Sequence, residues 1–348
     1  MEMMPPGDPR VAASAFVIGD PGRTARELPA GLPAAPAGHA DVELTAATVP
    51  GMVIRAATVR GLLHRFNGTV GQDAFALAQH AAAGGPACAI AAVCDGVGAL
   101  GRSDEAARLV SRCLANLGAA GDPWPDAFAR ANGEVHALAK EATSSGTGDA
   151  DLDGMATTAI AASVHRVSDE WLITGAWVGD STLWHLSADG QWTVLAGLAD
   201  EDGTQDGEEA FHSTGVRPLP SADGACASGQ FSVRGGAIFL MSDGVGNPLR
   251  WSSEVREALA RWWLRPPDPF SFAAQVGFAR RSHIDDRTVV GIWAEPAVAA
   301  PLGSEEPADA VPAGSEAPED GPPVKLRKAR RRRPSRRREP AGVPEDDR

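Results

Sequence analysis

The chain has 348 residues, of which 43% are hydrophobic and 22% charged, with a formal charge of −13. That composition belongs to a folded, water-soluble protein of one large or two ordinary domains. It argues against a disulfide scaffold or a cysteine zinc site, because the four cysteines form no C-x-x-C pair, and against a membrane span, because no stretch approaches the ~20 apolar residues required. Ten Lys or Arg fall between Lys325 and Arg338, leaving 22 basic against 45 acidic residues elsewhere. The body is therefore unsuited to nucleic acid, while the basic tail suits a polyanion or an acidic protein. The N-terminus lacks a basic region followed by an apolar run, so a cytoplasmic protein is expected.

Residues 1–48 are rich in Ala, Pro and Gly without periodicity and read as a disordered segment. Residues 296–348, Pro/Glu-rich and then Arg-rich, read as a second one, which leaves a single domain over 49–295. Inside it, Cys88–Cys94 (CAIAAVC) has the signature of a buried strand and ends at Asp95-Gly96. Ser103 reads as an N-cap, with an apolar face from Ala106 to Leu117 and a stop at Gly118. A second helix is predicted over Asp126–Ala142. Thr157–Arg166, Trp171–Val178, Ser181–Leu186 and Gln191–Leu195 are β-like, the last two joined by a turn at Ala188-Asp189-Gly190. Residues 196–225 read as an acidic mobile loop. Phe231–Arg234 and Ala237–Met241, separated by Gly235-Gly236, read as a hairpin. Helices near Ser252–Trp263 and Phe270–Ser282 precede a last strand, Arg287–Ala294. Blocks of strands with helices in pairs point to a layered α+β fold and not to a βαβ repeat.

The informative feature is the placement of the aspartates. Asp95 follows CAIAAVC, Asp243 follows AIFLMS, and Asp285 and Asp286 precede RTVVGIW. A carboxylate at the tip of an apolar strand is held beside the core yet open to solvent. Several such groups converging repel one another unless a cation lies between them, and an all-oxygen donor set selects Mg²⁺ or Mn²⁺ over zinc. Any single Asp-Gly is an ordinary turn former; the set and its order carry the signal.

In that order the sequence resembles the metal-dependent protein serine/threonine phosphatases of type 2C (the PPM family), in a bacterial variant. The stretches are GQDAFAL (Gly71–Leu77), AAVCDGVG (Ala91–Gly98), MATTAIAA (Met155–Ala162), VGDSTLW (Val178–Trp184), FLMSDGV (Phe239–Val245) and DDRTVV (Asp285–Val290). The resemblance implies a four-layer αββα sandwich, two antiparallel sheets flanked by helix pairs. It implies two divalent ions, Mn or Mg, with Asp95 resembling the bridging ligand, the Gly96 carbonyl a ligand of one ion, and Asp243 and Asp285 the ligands of the other. Asp153 is the candidate for a weaker third ion, and Asp73 resembles the acid that orients the attacking water. Asp180 and Thr157 lie in family motifs and read as structural. The implied chemistry is hydrolysis of phosphoserine or phosphothreonine on proteins by a hydroxide shared between the ions. By family analogy the substrates belong to a bacterial Ser/Thr kinase or anti-sigma pathway.

Three positions depart from the family pattern. Gln72 stands where animal members have a ligating Glu. Gly68 stands where a phosphate-binding Arg is expected, so Arg65 or His64 is the candidate phosphate ligand. Val97 replaces a His that serves as a candidate proton donor. The missing Arg and Val97 keep open a non-catalytic phosphoprotein-binding module on the same fold, and the basic tail keeps open a polyanion-binding adaptor driven by that tail.

Overall fold

The computed structural model describes residues 16–22, 40–80, 87–97, 101–144, 154–197 and 218–295. All belong to one compact unit, Met1–Ala297; the other unit, Val298–Arg348, lies outside the described residues together with the basic run. So do Asp153 and most of the predicted acidic loop. Among the described residues, no helix is long and apolar enough to cross a membrane.

The first two strands, β1 (Val42–Val49) and β2 (Met52–Val59), form a hairpin. A short helix, α1 (Leu62–Asn67), leads to β3 (Ala74–His80) and β4 (Cys88–Gly96). Helices α2 (Ser103–Ala120) and α3 (Trp124–Ser144) follow, then β5 (Thr157–Val167), β6 (Glu170–Val178), β7 (Thr182–Leu186), β8 (Trp192–Ala196), β9 (Ala227–Arg234) and β10 (Ala237–Met241). The chain ends its described course with α4 (Asp243–Trp251), α5 (Ser253–Trp263), α6 (Pro269–Val276) and β11 (Arg287–Ala294). One sheet has the order β1-β2-β11-β10-β7-β8 and the other β3-β4-β5-β6-β9, with every pairing antiparallel.

Strand alternation produces the layers. In β4, Ala89, Ala91 and Val93 face the other sheet, where they meet Ile54, Ile238, Leu240 and Val290. The intervening Cys88, Ile90, Ala92 and Cys94 face α2 and α3. In β10, Ile238 and Leu240 point inward while Ala237, Phe239 and Met241 pack under α4–α6. Side chains two apart share a face, so each sheet buries one face on its partner and one under helices. This is the expected αββα sandwich. All four cysteines are free thiols.

Several local expectations are corrected. The N-terminal segment expected to be disordered through residue 48 contains β1 from Val42. It also contains residues 16–22, where Val17 bridges Ala279, Ile18 is buried and Phe16 packs edge-on to Trp262 at 5.1 Å. Ala279 N donates to Phe16 O (2.8 Å) and Arg281 N to Asp20 O (2.7 Å). Those main-chain bonds supply order that the segment's composition does not reveal. Ser103 is not the N-cap of α2: Arg102 is, and the Ser103 hydroxyl donates to Val97 O at 2.9 Å. Gly118 does not end that helix. It lies against Trp124, and the left-handed cap is Gly121. β9 and β10 are not a hairpin, because they belong to different sheets. Both intervening glycines have positive φ, and a Cβ on Gly236 would lie 1.9 Å from Leu186 O, so the dipeptide carries the chain from one sheet to the other. The last predicted helix stops at Val276, and α4 has no counterpart in the sequence reading.

Candidate active site

In an antiparallel sheet, the C-terminal end of one strand lies beside the N-terminal ends of its two neighbours. β4 runs out at Asp95-Gly96 beside the start of β3, which follows Asp73, and beside the start of β5. β10 runs out into Ser242-Asp243 beside the starts of β7 and β11, which follow Asp180 and Asp285-Asp286. Topology alone therefore gathers two aspartates at an end of the five-stranded sheet and four at an end of the six-stranded one.

Cross-sheet bonds show that the two ends coincide. Thr158 Oγ1 and Ser181 Oγ lie 3.0 Å apart. Gln72 N donates to Asp286 Oδ2 at 2.5 Å, and Ser242 lies beside the Asp73 carboxyl. Gly96 makes the seam tight, since a Cβ there would lie 2.8 Å from Gln72 O and from Gln72 Cβ.

The electrostatics are those of crowded like charges. Burial, then Asp73, Asp243, Asp285 and Asp180, push the Asp95 carboxyl well above its ordinary range. Burial and Asp286 do the same to Asp73. Asp243 is pushed up to about 7 by burial, Asp285 and Asp180. Asp285 and Asp180 are also raised, chiefly by burial. Asp95 and Asp243 lie in each other's field, a crowding of like charges that a cation between them would relieve. Asp73 Oδ2 and Asp243 Oδ1 are buried without a hydrogen-bond partner. Among the described residues, no three His, Cys, Asp or Glu side chains already close a ligand cage. The fit to a divalent cation rests on the oxygen-only donor set, the crowding of Asp95, Asp243 and Asp285 and the unpartnered oxygens.

His64 and Arg65, the two candidate phosphate ligands, part company. His64 is 8% exposed and turns inward, its Nδ1 2.9 Å from Asp286 Oδ2. Burial lowers its pKa, but the bond and charge of Asp286, with Asp285, outweigh that and hold it above its ordinary value. Arg65 is left nearer the surface, its Nε 4.0 Å from Asp41 Oδ2. Thr157 donates from its hydroxyl to Asp95 O at 2.9 Å, a structural contact at the base of the site. Asp180, read from sequence as structural, shares the field of Asp285 and Asp243.

Two devices were not read from the sequence. Asp286 accepts from Gly61 N (2.5 Å) as well as Gln72 N and His64, so it ties α1 and the Asp73 segment to the Asp285 loop. Arg287 is buried: its Nε donates to Gly244 O (3.1 Å), Nη2 to His283 O (2.8 Å) and Nη1 to Phe278 O, and its guanidinium lies 4.2 Å from the Phe278 ring centre. Burial lowers its pKa to about 10, against the attraction of Asp285. It fastens the loop carrying Asp243 to the one carrying Asp285. The signal available was a cation directly after two aspartates, which equally suits an exposed ion pair.

Residues 60–275 match the family described as protein phosphatase 2C. No curated protein matches the chain. Among solved structures, a bacterial serine phosphatase is 17% identical over 74% of this chain and 98% of its own, with a TM-score of 0.47. A serine/threonine phosphatase from Staphylococcus aureus is 16% identical over 76% and 97%, also at 0.47. RsbX, solved in complex with magnesium, is 12% identical over 73% and 100%, at 0.42.

Proposed function

This chain belongs to the protein phosphatase 2C family, and on that footing we propose that it hydrolyses phosphoserine and phosphothreonine on proteins. The observation that carries the reading is the convergence of Asp95, Asp243 and Asp285 from both sheets, with Asp73 and Asp180 beside them and a field that calls for cations. Asp95, the Gly96 carbonyl, Asp243 and Asp285 are the residues that would hold two divalent ions, Mn or Mg. Asp153 is the candidate for a third, at a position outside the described residues. Bound there, such ions supply Lewis-acid chemistry, activating water and offsetting charge on the phosphoryl oxygens.

The chain's own residues do the positioning. Asp73, whose Oδ2 is buried without a hydrogen-bond partner, accepts from the attacking water and orients it. Asp286 and Arg287 hold the loops of Asp285 and Asp243 in register. Since His64 is committed to Asp286, contact with the phosphate falls to Arg65. Val97 offers no proton, so the leaving oxygen takes its proton from solvent. The substrate is a phosphorylated protein, by family analogy one from a bacterial Ser/Thr kinase or anti-sigma pathway. The basic tail is a separate candidate site for a polyanion or acidic protein, and deleting residues 324–348 removes that affinity if the assignment holds.

One observation favours the alternative of a phosphoprotein-binding module without turnover. Gly68, at the expected arginine position, is a left-handed cap with φ 68°, a conformation an arginine there would adopt only under strain. Initial rates on a phosphothreonine peptide with Mn²⁺, Mg²⁺ or EDTA, for wild type and Asp95→Asn, decide between the two. Metal-dependent turnover lost in the variant establishes the enzyme. Peptide binding without turnover by folded, metal-loaded protein establishes the module.

A further inference from the structure

A cavity of about 460 Å³ lies between the β1–β2 hairpin, α1 and α6, and Asp285 forms part of its wall. Its size is that of a ligand pocket. The long wall is apolar, built from Leu44, Val59, Phe270 and Ala274. Space exists there because α6 presents Ala273, Ala274 and Gly277 where larger side chains would fill the gap. Phe270 is 77% exposed at the rim, an aromatic side chain with most of its surface open to solvent. The lining also carries polar groups, Arg60, Arg65, His283, Asp285 and Arg287. Arg65 is 4.0 Å from Asp41, beyond hydrogen-bond length.

We propose that this cavity selects the substrate: it receives a large apolar side chain lying within two residues of the phosphorylated serine or threonine. The inference rests on the phosphatase reading of the Asp285 site. An extended peptide advances ~3.3 Å per residue, so a phosphorylated residue bound at Asp285 brings its neighbours to the mouth of a space that shares that residue. Extended peptides are read by pockets for individual side chains, and here Leu44, Val59, Phe270 and Ala274 give the pocket an apolar surface. An aliphatic neighbour buries its surface against Leu44, Val59 and Ala274. Arg65, at the junction, is placed to serve the phosphate on one side and the peptide backbone on the other.

The test uses a phosphothreonine peptide of glycine and serine, with Leu placed in turn at the two positions before and the two after the phosphorylated residue. Affinity is read by fluorescence anisotropy on non-hydrolysable phosphonate versions with Mn²⁺. Turnover is read on the phosphate versions, with p-nitrophenyl phosphate, which has no flanking residue, as the reference substrate. One Leu position is expected to bind roughly tenfold tighter than the Leu-free peptide. Ala274→Phe, which fills the cavity, abolishes that preference, and Phe270→Ala on the exposed rim reduces it about threefold if the ring contributes part of the contact. Equal affinity for all five peptides, or a preference that survives in both variants, overturns the proposal. The two readings fail separately. Discrimination in binding without turnover keeps the pocket and removes hydrolysis; turnover without discrimination keeps the enzyme and removes the pocket.

Discussion

The helix-covered faces of the sandwich and the end that carries the aspartates are built on opposite principles. Under α4–α6, Trp263 is fully buried, stacked on Phe239 (5.4 Å) and in contact with Trp192 and Phe272. Its Nε1 donates to Gln275 Oε1 at 2.9 Å. Under α2 and α3 the same sealing is done with small residues such as Ala92, Ala107, Ala131 and Ala161. In both faces the buried groups are overwhelmingly apolar. At the strand ends, five carboxyls crowd one another, and two of their oxygens have no partner. The faces hold the end in an arrangement it would not adopt alone, so a substitution at one should raise what a substitution at the other lowers.

The largest effect expected is at the site. Asp95→Asn should cut hydrolysis by roughly a hundredfold or more, as loss of a transition-state electrostatic group does. The thermal midpoint of the metal-free chain should rise in the same variant, because a charge is removed from the crowd. Trp263→Ala should do the reverse, costing about 3–5 kcal/mol of stability while the rate per folded molecule stays near wild type. Denaturant unfolding and active-fraction titration separate the two variants, and a joint fall in both properties would break the contrast.

A smaller effect sharpens it through pH. Asp243 titrates near 7 in the folded chain against an ordinary 3.8. A carboxyl raised on folding holds its proton more tightly in the native state. Its contribution is thus fully present below about pH 4 and is lost as pH rises through 7. In EDTA the midpoint of wild type should fall more steeply from pH 5 to 7.5 than that of Asp243→Asn, and Mn²⁺ at pH 7.5 should restore it. The smallest effect is in the alanine-rich half. Gly118→Ala would place a Cβ 2.7 Å from Trp124 and 2.9 Å from Ile90. Overpacking of about 1–3 kcal/mol exceeds the helix-propensity gain of about 1 kcal/mol, so a net loss near 1 kcal/mol is expected by thermal unfolding.

What the sequence made legible follows from the range of the forces involved. Asp95 and Asp243 stand out because an apolar run ending in Asp-Gly is a local pattern, and the packing of one sheet on the other then brings their strands' ends together. The layers were legible in the blocks of strands with helices in pairs and in the resemblance. β1 was not, since VELTAATV alternates weakly and follows a Pro/Ala-rich stretch; its order comes from pairing with β2. The Gly235-Gly236 crossing was read as a turn because both uses need positive φ, and only the sheet assignment of β9 distinguishes them. The His64–Asp286 pair joins residues 222 positions apart, a contact that no local pattern encodes.

The strand of chain at residues 16–20 has a practical consequence. It lies alongside Ala279–Arg281, on the stretch that leads from α6 to Asp285, while Arg287 grips the same stretch from within through Phe278 and His283. It thus acts as a splint for the loop that carries Asp285. Trimming the protein to residue 40 on compositional grounds would remove a support ten residues or fewer from Asp285 and leave the tryptophan beneath Phe16 bare. A loosened site in such a shortened chain would reflect the cut and not the enzyme.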